Sequence, residues 1–413
     1  MRRAPAGLWA LPFLVCAIAL SWLAATFAKQ TTEDSLARLY KTRQWFELRS
    51  AMSDRSPVLI RGAVAAAFND AETAERLLQS VIRSQPTSSD ADDAYALLTR
   101  MYQRSGQYSR FVKLYRQWAS ALPDSQQMRG EFEAIQKYEG RPDQINGPRR
   151  RLNLRHPPGG LSLPVSINGK TDDFLFDTGA WQSAMTEREA EKLGLAVSGE
   201  TKTLTGSSGL TATFRTVVVK ELMLGAMRFR DVSFAVISPG GPFRDAELGI
   251  VGLPILLALE NIRWSKDGAV EVGGSSAETK PPSPNLVFDR HRLLLRADLL
   301  GRQVLTTFDT GANTTDLNAN FVKMFKEVVE RSGKRGTQDI TGVGGTQTFE
   351  SIELPELAFR IGPTDVTLRP AFITLQTIEL TGGECCIGNA GHDLLTQGQG
   401  FTIDLSSMTL RLH

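Results

Sequence analysis

Residues 174–180 read FLFDTGA and residues 307–313 read TFDTGAN. Each copy puts an acid, a β-branched hydroxyl residue and a glycine directly after a hydrophobic run, so a carboxylate emerges where a buried strand ends. One Asp-Thr-Gly is unremarkable, since a strand-ending turn with glycine at its tight position reads the same way. Two copies with matching surroundings are a duplication.

Working outward, the acids Asp177 and Asp309 stand 132 positions apart, as 309 − 177. Upstream of them lie SLPVSINGKTD and RLLLRADLLGRQVL; downstream lie TLTGSSGLTATF and DITGVGGTQTF, and then ELGIVGLPILL and CCIGNAGHDLL. Gly206 pairs with Gly342 and Gly252 with Gly388, both at an offset of 136. The four extra residues of the second copy fall between acid and glycine-rich segment, where a surface connection absorbs an insertion.

Strand, Asp-Thr-Gly-Ala, glycine-rich hairpin and a final apolar-apolar-Gly resemble one lobe of an aspartic protease of the retropepsin type, here found twice across roughly residues 161 to 413. The resemblance implies a mainly β C-terminal part made of two pseudo-twofold-related acid-protease lobes carried in one chain, as in pepsins. It implies Asp177 and Asp309 as the catalytic pair. Thr178 and Thr310 would hydrogen-bond across the lobe junction, and Gly179 and Gly311 would let the loops pass close to a shared water. Gly206, Ser207, Ser208 and Gly209, with Gly342, Val343, Gly344 and Gly345, would form hairpin tips folding over an extended peptide. Ile250-Val251-Gly252 and Cys386-Ile387-Gly388 would support the catalytic loops from beneath.

The chemistry needs these residue types. Amide hydrolysis without a metal or a covalent intermediate requires a base to activate water and an acid to protonate the carbonyl oxygen. Two adjacent carboxylates that hold one proton between them supply both. Ala180 and Ala312 follow the glycines where pepsins usually carry a hydroxyl that favours the ionised acid, so the expected pH optimum lies nearer neutrality than pepsin's. Trp181 stands beside the first acid, as a wall of the site or as an obstruction.

The rest of the chain frames these lobes. Arg2 and Arg3 precede an uncharged run from Ala4 to Ala28, which reads as an export signal or membrane anchor over residues 1–28 and points to the periplasm or the periplasmic face of a membrane. Residues 31–140 have helical spacing and form an expected all-α domain of helical hairpins. Tyr95, Leu98, Tyr102, Gly106, Tyr115 and Pro123 resemble a tetratricopeptide hairpin, a fold that docks protein partners; ordinary helix-helix packing accounts for the same aromatics. Residues 141–160 and 275–285, rich in proline, glycine, arginine or serine, read as linkers flanking lobes at 161–274 and 286–413.

Composition narrows the function classes. A net charge of +2 from 47 basic and 45 acidic residues offers no electrostatic case for nucleic acid. Cys16, Cys385 and Cys386 make no disulfide framework, and with only 4 histidines no ligand-spaced metal set or cofactor motif stands out. His156, His291, His392 and His413 lack a nucleophile context. The expected function is an exported aspartic endopeptidase without cofactor acting on peptides or proteins. The alternative is a non-catalytic peptide-binding scaffold of the same fold.

Overall fold

A computed structural model describes residues 33–125, 127–136, 152–155, 161–273, 283–376 and 385–413. The apolar run 4–28, Cys16, His156 and most of both expected linkers lie outside these residues. Among the described residues no helix is long and apolar enough to cross a membrane.

The described residues between 33 and 136 form helices joined by turns, and from 152 onward strands dominate. Val58–Ala67, Ala71–Ser84, Ser89–Arg104 and Tyr108–Ala121 pack each on the next. Asp70 and Ser88 cap two of them by accepting from the backbone N–H three residues on. Tyr95, Leu98, Tyr102, Tyr115 and Trp118 are all buried, and the Tyr95 and Trp118 rings stack with centroids 5.8 Å apart. These side chains form helix core.

The two β lobes share one topology. In the first, Lys170–Phe176 runs parallel to Gly249–Val251, which lies antiparallel to Ser183–Thr186, itself parallel to Met227–Ser238. In the second, Arg302–Phe308, Gly388–Ala390, Asp316–Leu317 and Ala371–Thr374 take the same four places. Alternation builds each face: in Ser162–Ile167, Leu163, Val165 and Ile167 are buried and the residues between them are only partly so.

This register corrects the third sequence landmark. Val251 sits opposite Phe176 and Ala390 opposite Phe308, so Gly252 corresponds to Gly391, not to Gly388. Leu253 N donates to Ala180 O and His392 N to Ala312 O, both at 2.9 Å. Ser183 Oγ accepts from Gly252 N as Thr315 Oγ1 accepts from Gly391 N. The offset is therefore 139, and the segment beneath the second acid is Asn389-Ala390-Gly391. Cys385 and Cys386 precede it, bonded to each other as a disulfide of adjacent residues.

Two expected separations are absent. Within the expected linker 141–160, Leu152–Arg155 is a strand paired with Ala269–Val272. That pair joins Asn261–Ser265, Gly400–Asp404 and Thr409–Leu412 in a five-stranded sheet that both lobes share. Asn285, expected in the second linker, bonds through its side chain to the backbone of Leu410 in both directions. Nor are the helices a tethered module. Leu36, Trp45, Phe46, Ile60 and Phe68 belong to one continuous core with the β lobes, Arg43 pairs with Asp289 at 2.8 Å, and Arg104 and Arg296 lie over the rings of Phe288 and Phe46.

Candidate active site

Each acid sits one residue beyond a strand whose last side chain is buried. Phe176 and Phe308 anchor those ends, and the next N–H groups, of Asp177 and Asp309, donate to Val251 O at 3.1 Å and Ala390 O at 3.0 Å. The chain must then turn, and the turn is held by its own carboxylate. Asp177 Oδ1 accepts from Gly179 N at 2.8 Å and Ala180 N at 3.0 Å. Asp309 Oδ1 accepts from Gly311 N at 2.9 Å and Ala312 N at 3.2 Å.

The loops interlock through their threonines. Thr178 N donates to Thr310 Oγ1 and Thr310 N to Thr178 Oγ1, each at 3.0 Å. Thr178 Oγ1 then donates to Phe308 O at 2.8 Å and Thr310 Oγ1 to Phe176 O at 2.6 Å. All four bonds are buried, so the acids inherit a fixed separation. The glycines are required by that closeness: a Cβ on Gly179 would stand 2.6 Å from Asp309 Cγ, and one on Gly311 2.5 Å from Asp177 Cγ.

The electrostatics follow from the packing. Burial raises the Asp177 carboxyl well above the usual carboxylate range; the charge of Asp309 and a hydrogen bond with it add to the rise, against the Gly179 and Ala180 N–H groups. The two carboxyls titrate as a coupled pair that retains one proton above the usual carboxylate range. Asp309 has a donor of its own, because Asn389 Nδ2 reaches Asp309 Oδ2 at 3.1 Å. Asn389 is held in turn by Thr307 Oγ1, which donates to its Oδ1 at 2.5 Å. The side-chain donor that Ala180 and Ala312 omit is thus supplied to one acid from the strand beneath it. In the first lobe the same place holds Ile250.

Above the acids the hairpin tips meet. Ser207 Oγ donates to Thr341 O at 3.3 Å, Gly240 N to Val343 O at 3.0 Å, and Val343 packs on an apolar patch of Ala184, Ala212, Ala235 and Ile237. Gly206, Ser207 and Ser208 face Gly342 and Val343 closely, while Gly344 lies against Leu210. Ser208 is buried and Gly209 is exposed, and Gly345 closes the second turn opposite Gly342. Beneath the tips runs a cleft of ≈ 360 Å³ whose wall includes Thr178, Gly179, Ser207, Asp309, Asp316 and Asn389. Trp181 lines this cleft rather than filling it. Sequence reasoning missed Asn389 and Asp316; matching GIVG with GNAG by their paired glycines, 249 and 252 against 388 and 391, is the signal that finds the first.

Among the described residues no group of metal-ligating side chains includes either acid. Among the described residues Asp172, Glu189 and Glu247 come close enough together to chelate a cation, but Lys192 already bonds Asp172 and Glu247 there.

Residues 163–255 match the model of the Aspartyl protease family, which supports an aspartic protease fold and spans most of the first lobe. A solved structure, a retropepsin-like aspartic protease from Rickettsia conorii, is similar at 15% identity over 32% of this chain and 97% of its own, with a TM-score of 0.24. No curated protein matches the chain.

Proposed function

We propose that the protein is an aspartic endopeptidase in which Asp177 and Asp309 jointly hold and activate a water molecule. One observation carries the reading: two carboxyl groups in hydrogen-bonding contact, each cradled by its own loop, one of which, Asp309, lines a cleft beneath the hairpin tips. The ionised member of the pair takes a proton from the water as it attacks, while the protonated member gives its proton to the carbonyl oxygen. A neutral dihydroxy intermediate results. Its collapse needs a proton on the leaving nitrogen, which the same pair returns. The hairpin tips orient substrate by strand addition and exclude bulk water.

Incubating the full chain with a peptide mixture, with and without a statine-type mimic of the dihydroxy intermediate, tests the reading. Cleavage blocked by the mimic is expected; mimic-insensitive cleavage overturns the paired-acid mechanism, and no cleavage leaves the peptide-binding scaffold. The elevated Asp177 carboxyl also sets the pH range. The active pair carries one proton, and because that proton is held well above the ordinary carboxylate range, activity should persist toward neutrality. A pH-rate profile peaking at about pH 2 to 3, where an acid-tuned dyad works, contradicts this. The run Ala4–Ala28 behind Arg2 and Arg3 further supports export, with substrates met outside the cytoplasm.

A further inference from the structure

The second lobe's side of the cleft carries a carboxylate with two unpartnered polar atoms close by. Asp316 lines the cleft near Asp309, and its Oδ1 accepts from Gln338 Nε2. The other amide atom of that residue, Gln338 Oε1, is buried without a hydrogen-bond partner, and so is Thr374 Oγ1. Thr374, only 3% exposed, belongs to the cleft wall. Register gathers the three on one face. Asp316 pairs with Phe372, two residues before Thr374, and Gln338 stands two residues before the cleft-lining Ile340 on its strand.

The local field favours a positive group. The charges that Asp316 feels are those of Asp393 and Asp309, and burial, ahead of both, pushes its carboxyl up to about 6. Arg292 and His291 also line the cleft, where Asp289 is the acid whose charge acts on them. A carboxylate with a single amide donor and two orphaned oxygens beside it fit a cation with several N–H donors.

The first lobe shows the contrast. Positions equivalent to Asp316, Asn389 and Thr374 hold Ala184, Ile250 and Ile237, part of an apolar patch with Leu204 and Phe214. We infer that the Asp316 face is the pocket for a lysine or arginine side chain on one side of the scissile bond, whereas Val343 already covers the equivalent first-lobe face. The inference rests on the peptidase reading for where the bond is cut.

Octapeptides carrying lysine, arginine or norleucine next to a leucine, on either side of it, test the pocket in two ways. The full chain is assayed for kcat/KM, and the Asp177→Asn variant for binding by fluorescence anisotropy. A basic residue is expected to be favoured over norleucine by about tenfold or more at pH 7.5, mostly through KM. That ratio should shrink below about pH 6, where Asp316 takes up a proton among Gln338, Asp393 and Asp309. Asp316→Asn should bring it near one, and Thr374→Val, which spares the carboxylate, should lower it about threefold. Equal handling of lysine and norleucine peptides by the parent chain overturns the pocket. Tighter binding of the basic peptide with no cleavage keeps the pocket and refutes the peptidase; cleavage indifferent to lysine does the reverse.

Discussion

The two lobes agree at their loops and differ on their floors. Asp-Thr-Gly-Ala, the N–H pairs on each carboxylate and the reciprocal threonine bonds are the same on both sides. One strand deeper, Leu175, Ile250 and Ala184 of the first lobe stand where Thr307, Asn389 and Asp316 stand in the second. On the proposed peptidase reading a shared water needs two matched acids, which one geometry for both loops supplies. A substrate chain has direction and different residues on either side of its bond, so nothing requires the floors to match.

The largest expected effect tests the matched part. Asp177→Asn and Asp309→Asn should each lower kcat about 10³-fold or more, since neither acid can serve as both acid and base. Steady-state kinetics that spare one variant would break the equivalence of the loops. Asp177→Asn should also stabilise. A folded-state pKa raised above the unfolded value of about 3.9 gives a contribution that is full below that pH and lost as pH rises through the folded value. Urea denaturation at pH 8 should therefore find the variant more stable than its parent.

Next come the threonines. Thr178→Val and Thr310→Val each remove a buried hydroxyl that donates to one carbonyl and accepts one N–H. Each should cost about 1–3 kcal/mol in chemical denaturation, and the two costs should be similar.

The floors should respond unequally. Asn389→Ile copies the first lobe and strips Asp309 Oδ2 of its amide donor; a fall in kcat/KM of about tenfold is expected. Ile250→Asn, the reverse exchange, should not improve turnover, because no partner equivalent to Thr307 awaits it at Leu175. The smallest effect concerns Asp316. With its carboxyl pushed up to about 6, its favourable contribution is full below about pH 4 and is lost as pH rises through about 6. Asp316→Asn should therefore gain about 2–4 °C in Tm relative to the parent on going from pH 4 to pH 7. A constant difference across that range would mean that the site is more open to water than its packing indicates.

The loops were legible in the sequence because their chemistry is local: acid, threonine and glycine are consecutive, and two copies fixed the spacing. The floor was not, because Asn389 and Asp316 meet the site only through strand pairing. The segment CCIGNAG offers two glycines three apart, and only the register between Phe308 and Ala390 decides which matches Gly252. Leu152–Arg155 sits in arginine- and proline-rich surroundings that read as a linker; its partner Ala269–Val272 lies more than a hundred residues on, and such tertiary pairing overrides local composition. Likewise the stripe of Leu36 and Leu39 announces that a helix face is buried, while the covering surface belongs to the β lobes.

The five-stranded sheet has a mechanical consequence. Strand Asn261–Ser265, at the end of the first lobe's sequence, is flanked by Ala269–Val272 and by Gly400–Asp404 from near the end of the second. The halves are thus stitched together along a seam that does not depend on the peptide joining them. A protease nick anywhere in 274–282 should leave both fragments associated and competent, and the halves expressed as separate chains should assemble into a working pair.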